Sequence, residues 1–282
     1  MALYRDYDKA GLDAQYNIRA RVTDHAEWSA RWAVQCEAVL KTRPSRLNVT
    51  YDKEALDIFP AAKSPAPALI FIHGGYWQSR SKEDFCFIVP AFQDAGVTVV
   101  MVEYTLAPKV TMDEIVRQNR AAIAFVHRNA REFGIDPARI HVAGHSAGGH
   151  LAATMMVTDW SMLGLDRHPL AGGCAISGLY DLEPIRLCYL NEVLGMDAAT
   201  AARNSPIHLV PRQAPPLILA LGTAESEEFH RQQEVLATLW RRHGLALEIA
   251  DQAGDHHFSV IQRLGESDSI LHRSVMRQIA AA

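Results

Sequence analysis

The 282-residue chain is short of several things, and each shortage closes off a class of protein. Its four cysteines, Cys36, Cys86, Cys174 and Cys188, are scattered, with no C-x-x-C pair to run redox chemistry or hold a structural metal. Reduced thiols in a cytoplasmic protein are the expected state. There is no H-E-x-x-H. His141 and His145 lie four apart, but on a strand and the turn after it, where that spacing does not put two ligands on one helical face. No metal site is expected. Positive charge is not in excess: 28 Lys and Arg against 32 Asp and Glu give a net charge of −4. That leaves no electrostatic reason to expect a nucleic acid or an anionic membrane as partner. No apolar run approaches the roughly 18–20 residues of a membrane-spanning helix. The opening "MALYRDYDKAGLDAQYN" is polar and acidic, unlike a secretory signal, which again points to the cytoplasm. Internal repeats and low-complexity tracts are absent as well.

What is present is ordinary in bulk and specific in detail. Hydrophobic residues at 49% and charged residues at 21% suit a soluble α/β chain with a sizeable core. "RLNVTYD" and "ALDIF" predict an early hairpin. "ALIFIH", "VTVVMVEY", "RIHVAG", "AGGCAISG", "PLILALG" and "LALEIA" predict strands, several of them apolar without alternation, as when helices cover both faces. Helical patterns fall between them over 82–94, 112–133, 149–158, 227–243 and 267–279. Strand–helix alternation predicts a mostly parallel sheet with right-handed crossovers, in one domain spanning 1–282. Two segments stand outside the alternation: a helical stretch over 1–45, containing an amphipathic helix capped by Thr23 or Asp24, and an insertion over 181–209. Both are expected to serve as lid or pocket wall.

The chemistry concentrates at three places. Gly144-His145-Ser146-Ala147-Gly148 is a G-x-S-x-G directly after an apolar strand and directly before a helix. The sharp turn it demands would leave the Ser146 hydroxyl at the C-terminal end of the sheet, over a helix N-terminus. A serine needs a base, and the base an orienting carboxylate, in the chain order Ser, acid, His for this type of sheet. Glu225 is the first carboxylate after the strand "PLILALG", with Asp251 and Glu227 as alternatives. His256 and His257 follow the last strand, and His257, placed before an aromatic and a new helix, is the preferred base. "LIFIHGGYWQSRSK" supplies the remainder: a strand ending in His73-Gly74-Gly75, whose N–H groups, with those of Tyr76 and Ala147, would hold an oxyanion while His73 braces the loop. Tyr76 and Trp77 would stack on an aromatic substrate, the other reading of Trp77 being a buried packing anchor; Tyr180 is a further pocket residue.

These motifs resemble the α/β-hydrolase fold, esterase/lipase branch. "HGGYWQSRSK", "GHSAGGHLAA", "SGLYDLEPI" and "ESEEFHRQ" more narrowly resemble the arylformamidases (kynurenine formamidases), over roughly residues 60–264. The resemblance puts the triad on Ser146, Glu225 and His257, with one departure: the family acid is commonly Asp. It implies hydrolysis of N-formyl-L-kynurenine to L-kynurenine and formate without cofactor, a small-molecule substrate being the expected partner. A carboxylesterase or other amide or carbamate hydrolase with an aromatic substrate is the alternative. Arg186 and Asn191 are the candidates for the substrate's charged end. Homodimers are common among such enzymes, although no feature of the sequence marks an interface.

Overall fold

A computed structural model describes residues 2–282. Eight strands form one sheet: β1 (Arg46–Tyr51), β2 (Glu54–Phe59), β3 (Ala66–Ile72), β4 (Thr98–Val102), β5 (Ile135–His145), β6 (Gly172–Ile176), β7 (Leu217–Ala220) and β8 (Leu247–Ile249). Their spatial order is β1-β2-β4-β3-β5-β6-β7-β8. β1 and β2 form the expected hairpin, β2 runs antiparallel to β4, and every pairing from β4 to β8 is parallel. The α/β-hydrolase arrangement is therefore met, antiparallel edge included.

The continuous apolar runs of the sequence arise because the sheet is covered on both faces. Along β3, Ala68, Ile70 and Ile72 face one core and Leu69 and Phe71 the other. The first core is closed by helices Met112–Arg128, Ala147–Met156 and Glu227–Arg242. The second is closed by Ile270–Ala280, the segment after residue 82, and the long N-terminal helix His25–Thr42 through Trp32, Cys36 and Val39. Among the described residues no helix is long and apolar enough to cross a membrane.

The strand order locates the site. The chain leaves β3 toward β4 on one side, whereas β5 onward progress to the other. A crevice therefore opens beyond the C-terminal ends of β3 and β5, the position where open α/β sheets bind ligands. The loop after β3 and the turn after β5 meet there.

Some boundaries differ from the sequence reading. The 82–94 segment is not one helix: a 3₁₀ stretch Lys82–Ile88, opened by a Ser81–Asp84 capping box, gives way to an α-helix Val89–Asp94. Pro90 lacks the N–H that would continue one helical ladder across the join. The insertion breaks into three short helices, Glu183–Leu187, Asn191–Leu194 and Ala198–Arg203. Asp24 does take the N-cap position, but its carboxylate accepts from Trp28 Nε1 at 3.1 Å, not from the backbone.

A buried clamp ties the crevice loop to the sheet. Trp77 is fully buried, and its Nε1 donates to His150 Nδ1 at 3.3 Å; His150 Nε2 contacts the Asn204 carbonyl oxygen at 2.7 Å. A carbonyl can only accept, so His150 carries its proton on Nε2 and Nδ1 is free to accept from Trp77. The loop, the helix Ala147–Met156 and the insertion are thereby joined. Truncating a fully buried Trp such as Trp77 to Ala costs about 3–5 kcal/mol.

Burial pushes the His150 imidazole down to about 4. Its folded pKa thus lies below the unfolded value of about 6.5, so the unfolded chain takes up the proton first. Stability present above about pH 6.5 is lost as pH falls toward 4, by up to about 1.4 kcal/mol per pH unit. Urea unfolding between pH 7 and 4.5 should show a falling midpoint, with a shallower slope in His150→Gln. An unchanged slope in that variant would place the titration on other groups.

Candidate active site

Ser146 stands at the tip of the turn between β5 and the helix Ala147–Met156, with φ 58° and ψ −119°, a conformation that a non-glycine residue adopts only under constraint. The flanking glycines make that turn feasible. A Cβ on Gly144 would sit 2.1 Å from the Gly148 carbonyl oxygen, and one on Gly148 would sit 2.0 Å from that of Ile72. The Ser146 N–H is anchored on the Ile176 carbonyl at 2.8 Å, which couples the turn to β6.

Glu225 follows β7 and is turned inward. Its Oε1 accepts from the Gly222 N–H at 3.0 Å and from the Ser177 hydroxyl; its Oε2 meets His257 Nδ1 at 2.6 Å. Both side chains are almost wholly buried. A carboxylate can only accept, so the Nδ1 proton belongs to His257, and in the neutral ring Nε2 is then the basic nitrogen. That nitrogen has no hydrogen-bond partner among the described residues. It belongs to a ring lining the same cavity as Ser146, of about 400 Å³, with Gly75, Tyr76, Trp32 and Phe258 among the walls. The alternatives sit elsewhere. Asp251 accepts from the Leu221 N–H and from Gln233, Glu227 from the Tyr7 hydroxyl, and His256 packs edge-on against Trp28.

The glycine loop lies against the turn. A Cβ on Gly74 would stand 3.2 Å from Ser146 Cβ, so only glycine lets the chains approach this closely. Among the described residues the N–H groups of Gly74, Gly75 and Tyr76 donate to no protein acceptor. Ala147 opens the helix, where the N–H has no intrahelical partner. Together these are backbone donors at a place where charge would develop on a bound carbonyl oxygen.

Two residues read as substrate contacts, Trp77 and Tyr180, are not part of the cavity wall, and neither is His73, which as a loop residue was also a candidate to meet substrate. His73 is fully buried, bonded to the Gly74 carbonyl at 2.8 Å and to Glu103 at 3.0 Å and stacked 4.2 Å from Tyr104; it supports the loop from behind. Trp77 is the buried clamp described above. Tyr180 is fully buried, its backbone N–H on Gln232 and its hydroxyl 3.3 Å from the Ala175 carbonyl. Tyr76 does line the cavity, with its hydroxyl held by the Tyr16 carbonyl at 2.7 Å. Arg186 is engaged by Glu183 and Asn191 by Met196, and neither reaches the cavity. Both segments that stand outside the strand–helix alternation contribute walls: Asn17, Ile18, Arg19 and Trp32 from the first, Tyr189 and Leu190 from the second.

Two residues escaped sequence reasoning. Ser177, at φ 48°, ends β6 and donates to Glu225. Its signal was a polar residue closing the apolar strand "GGCAI". His145 is 4% exposed, lines the cavity 4.6 Å from the His257 ring and has neither ring nitrogen partnered among the described residues. Burial first, and then the neighbouring His257, hold its pKa well below the ordinary histidine value. It is therefore a neutral imidazole in the site. Among the described residues no group of three or more His, Cys, Asp or Glu side chains is placed to hold a metal ion.

A hydroxyl, a free imidazole nitrogen, a fixed carboxylate and converging backbone donors can together carry acyl transfer to water. The BD-FAE family model matches residues 56–168. The kynurenine formamidase of Salmo salar is 32% identical over 99% of both chains, and that of Danio rerio is 34% identical over 80% of this chain and 78% of its own. A candidate thioesterase from Silicibacter sp. TM1040, of known crystal structure, superposes with a TM-score of 0.82 at 31% identity, covering 94% of this chain and 98% of that one. The protein is thus a hydrolase of the α/β-hydrolase fold, esterase/lipase type. Within that class the chain belongs to the kynurenine formamidase family.

If Ser177 fixes the carboxylate that orients His257, Ser177→Ala should lower kcat on p-nitrophenyl acetate by about tenfold, equivalent to about 1.4 kcal/mol, with KM little changed. A kcat equal to wild type would mean that the Gly222 N–H alone suffices to hold Glu225.

Proposed function

We propose that the chain cleaves the formamide C–N bond of an N-formyl arylamine, N-formyl-L-kynurenine foremost, giving the free arylamine and formate through Ser146, His257 and Glu225. The observation that carries this reading is the 2.6 Å bond from His257 Nδ1 to Glu225, which leaves Nε2 without a partner in a ring that lines the same cavity as Ser146. The names of the 32–34% identical relatives supply the substrate class.

His257 Nε2 takes the Ser146 proton as Oγ bonds to the formyl carbon. Negative charge passes to the carbonyl oxygen, facing the N–H groups of Gly74, Gly75, Tyr76 and Ala147; losing one such donor costs about 10²–10³ in rate. The imidazolium, stabilised by Glu225, gives its proton to the departing nitrogen, and the C–N bond breaks. A water then surrenders a proton to Nε2 and attacks the formyl ester, releasing formate and returning the proton to Oγ. An arylamine leaves more readily than an alkylamine, and a formyl carbon is unhindered, so esterase-like machinery is adequate. Glu is one methylene longer than Asp, and Glu225 reaches His257 with its other oxygen held by the Ser177 hydroxyl and the Gly222 N–H.

A second reading is an esterase or thioesterase acting on aromatic acyl compounds, favoured by the 31% identical candidate thioesterase. Relative kcat/KM on N-formyl-L-kynurenine and p-nitrophenyl acetate separates the two. The formamidase reading expects efficient formamide turnover that Ser146→Ala abolishes; ester turnover with negligible formamide turnover would favour the second. Glu225→Gln should lower kcat by about 10²–10⁴, since the amide favours the wrong imidazole tautomer. An undiminished kcat would remove Glu225 from the mechanism.

A further inference from the structure

The cavity beside Ser146 has a charge asymmetry that the acyl-transfer machinery does not use. Two arginines line it, Arg19 from the N-terminal segment and Arg80 from the glycine loop, and no carboxylate does so among the described residues. This is a local positive field on a chain of net charge −4. Apolar and polar walls are segregated by residue type: Trp32, Phe85, Phe258 and Leu190 supply the first, the arginines and Gln78 the second.

Arg80 is held in place and not left as a loose surface side chain. Its backbone has φ +74°, a left-handed conformation that costs a bulky residue about 1–3 kcal/mol and is retained where surroundings impose it. Its Nη2 donates to Ser29 Oγ at 2.6 Å, and its Nη1 lies 3.9 Å from Asp84, at the edge of ion-pair range. The side chain is 25% exposed. One neutral acceptor and one distant carboxylate leave most of a five-donor guanidinium unsatisfied. Arg19, an exposed residue of the short helix Ile18–Arg21, has no hydrogen-bond partner among the described residues. A planar, permanently charged fork suits carboxylate recognition by paired N–H groups.

We propose that Arg19 and Arg80 are specificity-determining residues of this site, together forming the subsite that selects the carboxylate end of an N-formyl arylamine. This rests on the formamidase reading and sharpens it: the aryl ring takes the aromatic wall, the formyl carbon faces Ser146, and the amino-acid carboxylate extends toward the two guanidinium groups. The cavity of about 400 Å³ accommodates one such molecule. The arginines act on substrate affinity and selection, not on bond making.

The test compares N-formyl-L-kynurenine with N-formylkynuramine, the same aryl formamide lacking the carboxylate, on the full chain. Wild type should prefer the carboxylate substrate in kcat/KM by about tenfold or more, and Arg19→Gln/Arg80→Gln should erase that preference, chiefly through KM, with Arg80→Lys retaining part of it. A ratio of two substrates on one preparation is insensitive to loss of folded protein. A wild type that processes both formamides equally, or a double variant that keeps the preference, would overturn the subsite while leaving the formamidase reading intact. A wild type that cleaves neither formamide but cleaves p-nitrophenyl acetate would overturn both.

Discussion

The site depends on one interaction, the buried hydrogen bond between His257 Nδ1 and Glu225 Oε2 at 2.6 Å. It assigns a proton to Nδ1, so that in the neutral ring Nε2 is the basic nitrogen. Everything nearby is arranged around it. The Gly222 N–H and the Ser177 hydroxyl occupy the other carboxylate oxygen, so Glu225 cannot rotate away without abandoning two hydrogen bonds. Phe229 packs 4.8 Å from the His257 ring and His145 4.6 Å from it, which restrains the ring's own rotation. Hydrogen bonds to a buried charged group are worth about 1.5–3 kcal/mol, more than one thermal fluctuation can offset.

Holding this arrangement has a conformational cost, and its location is informative. Among the described residues eight non-glycine residues have positive φ, and Tyr76, Trp77, Arg80, Ser146 and Ser177 are five of them. All five belong to the loop after β3 or to the turns after β5 and β6, at one end of the sheet. At about 1–3 kcal/mol each, the strain must be balanced by packing close at hand. The buried Trp77 indole against His150, the Tyr104 ring against His73 and the inward Tyr76 hydroxyl are that packing. The aromatic pair that the sequence displays so openly after Gly75 thus does two jobs. Tyr76 is cavity wall, and Trp77 is the anchor that keeps the loop in its strained shape.

Much of this was legible in the amino-acid sequence, and the division is physical. Apolar runs without alternation specify strands covered on both faces, so the sheet and its order of helices could be read. G-x-S-x-G between a strand and a helix demands a tight turn, and the steric conflict at Gly144 and Gly148 shows why no larger residue could stand there. Glu225 and His257 followed from chain order, and the structure brings their side chains together. Tertiary placement was not legible. Whether Trp77 or Tyr180 faces a cavity or a core depends on chain segments more than 70 residues away for Trp77, through His150 and Asn204, and on Gln232 for Tyr180. The same reason hid Arg19 and Arg80, which converge only because the N-terminal segment folds over the glycine loop, whereas Arg186 is consumed by Glu183 three residues away. The 3₁₀ stretch Lys82–Ile88 was masked by a hydrophobic pattern that serves both helix types.

The central claim is that Ser146 is made nucleophilic by His257 in the tautomer that Glu225 imposes. Its most direct test is covalent labelling with a fluorophosphonate, read by mass spectrometry of the intact chain and of its peptides. The account predicts a single adduct on Ser146 in wild type, and a labelling rate reduced by orders of magnitude in a folded His257→Gln variant. Labelling at another serine, or a rate in His257→Gln equal to that of wild type, would contradict it.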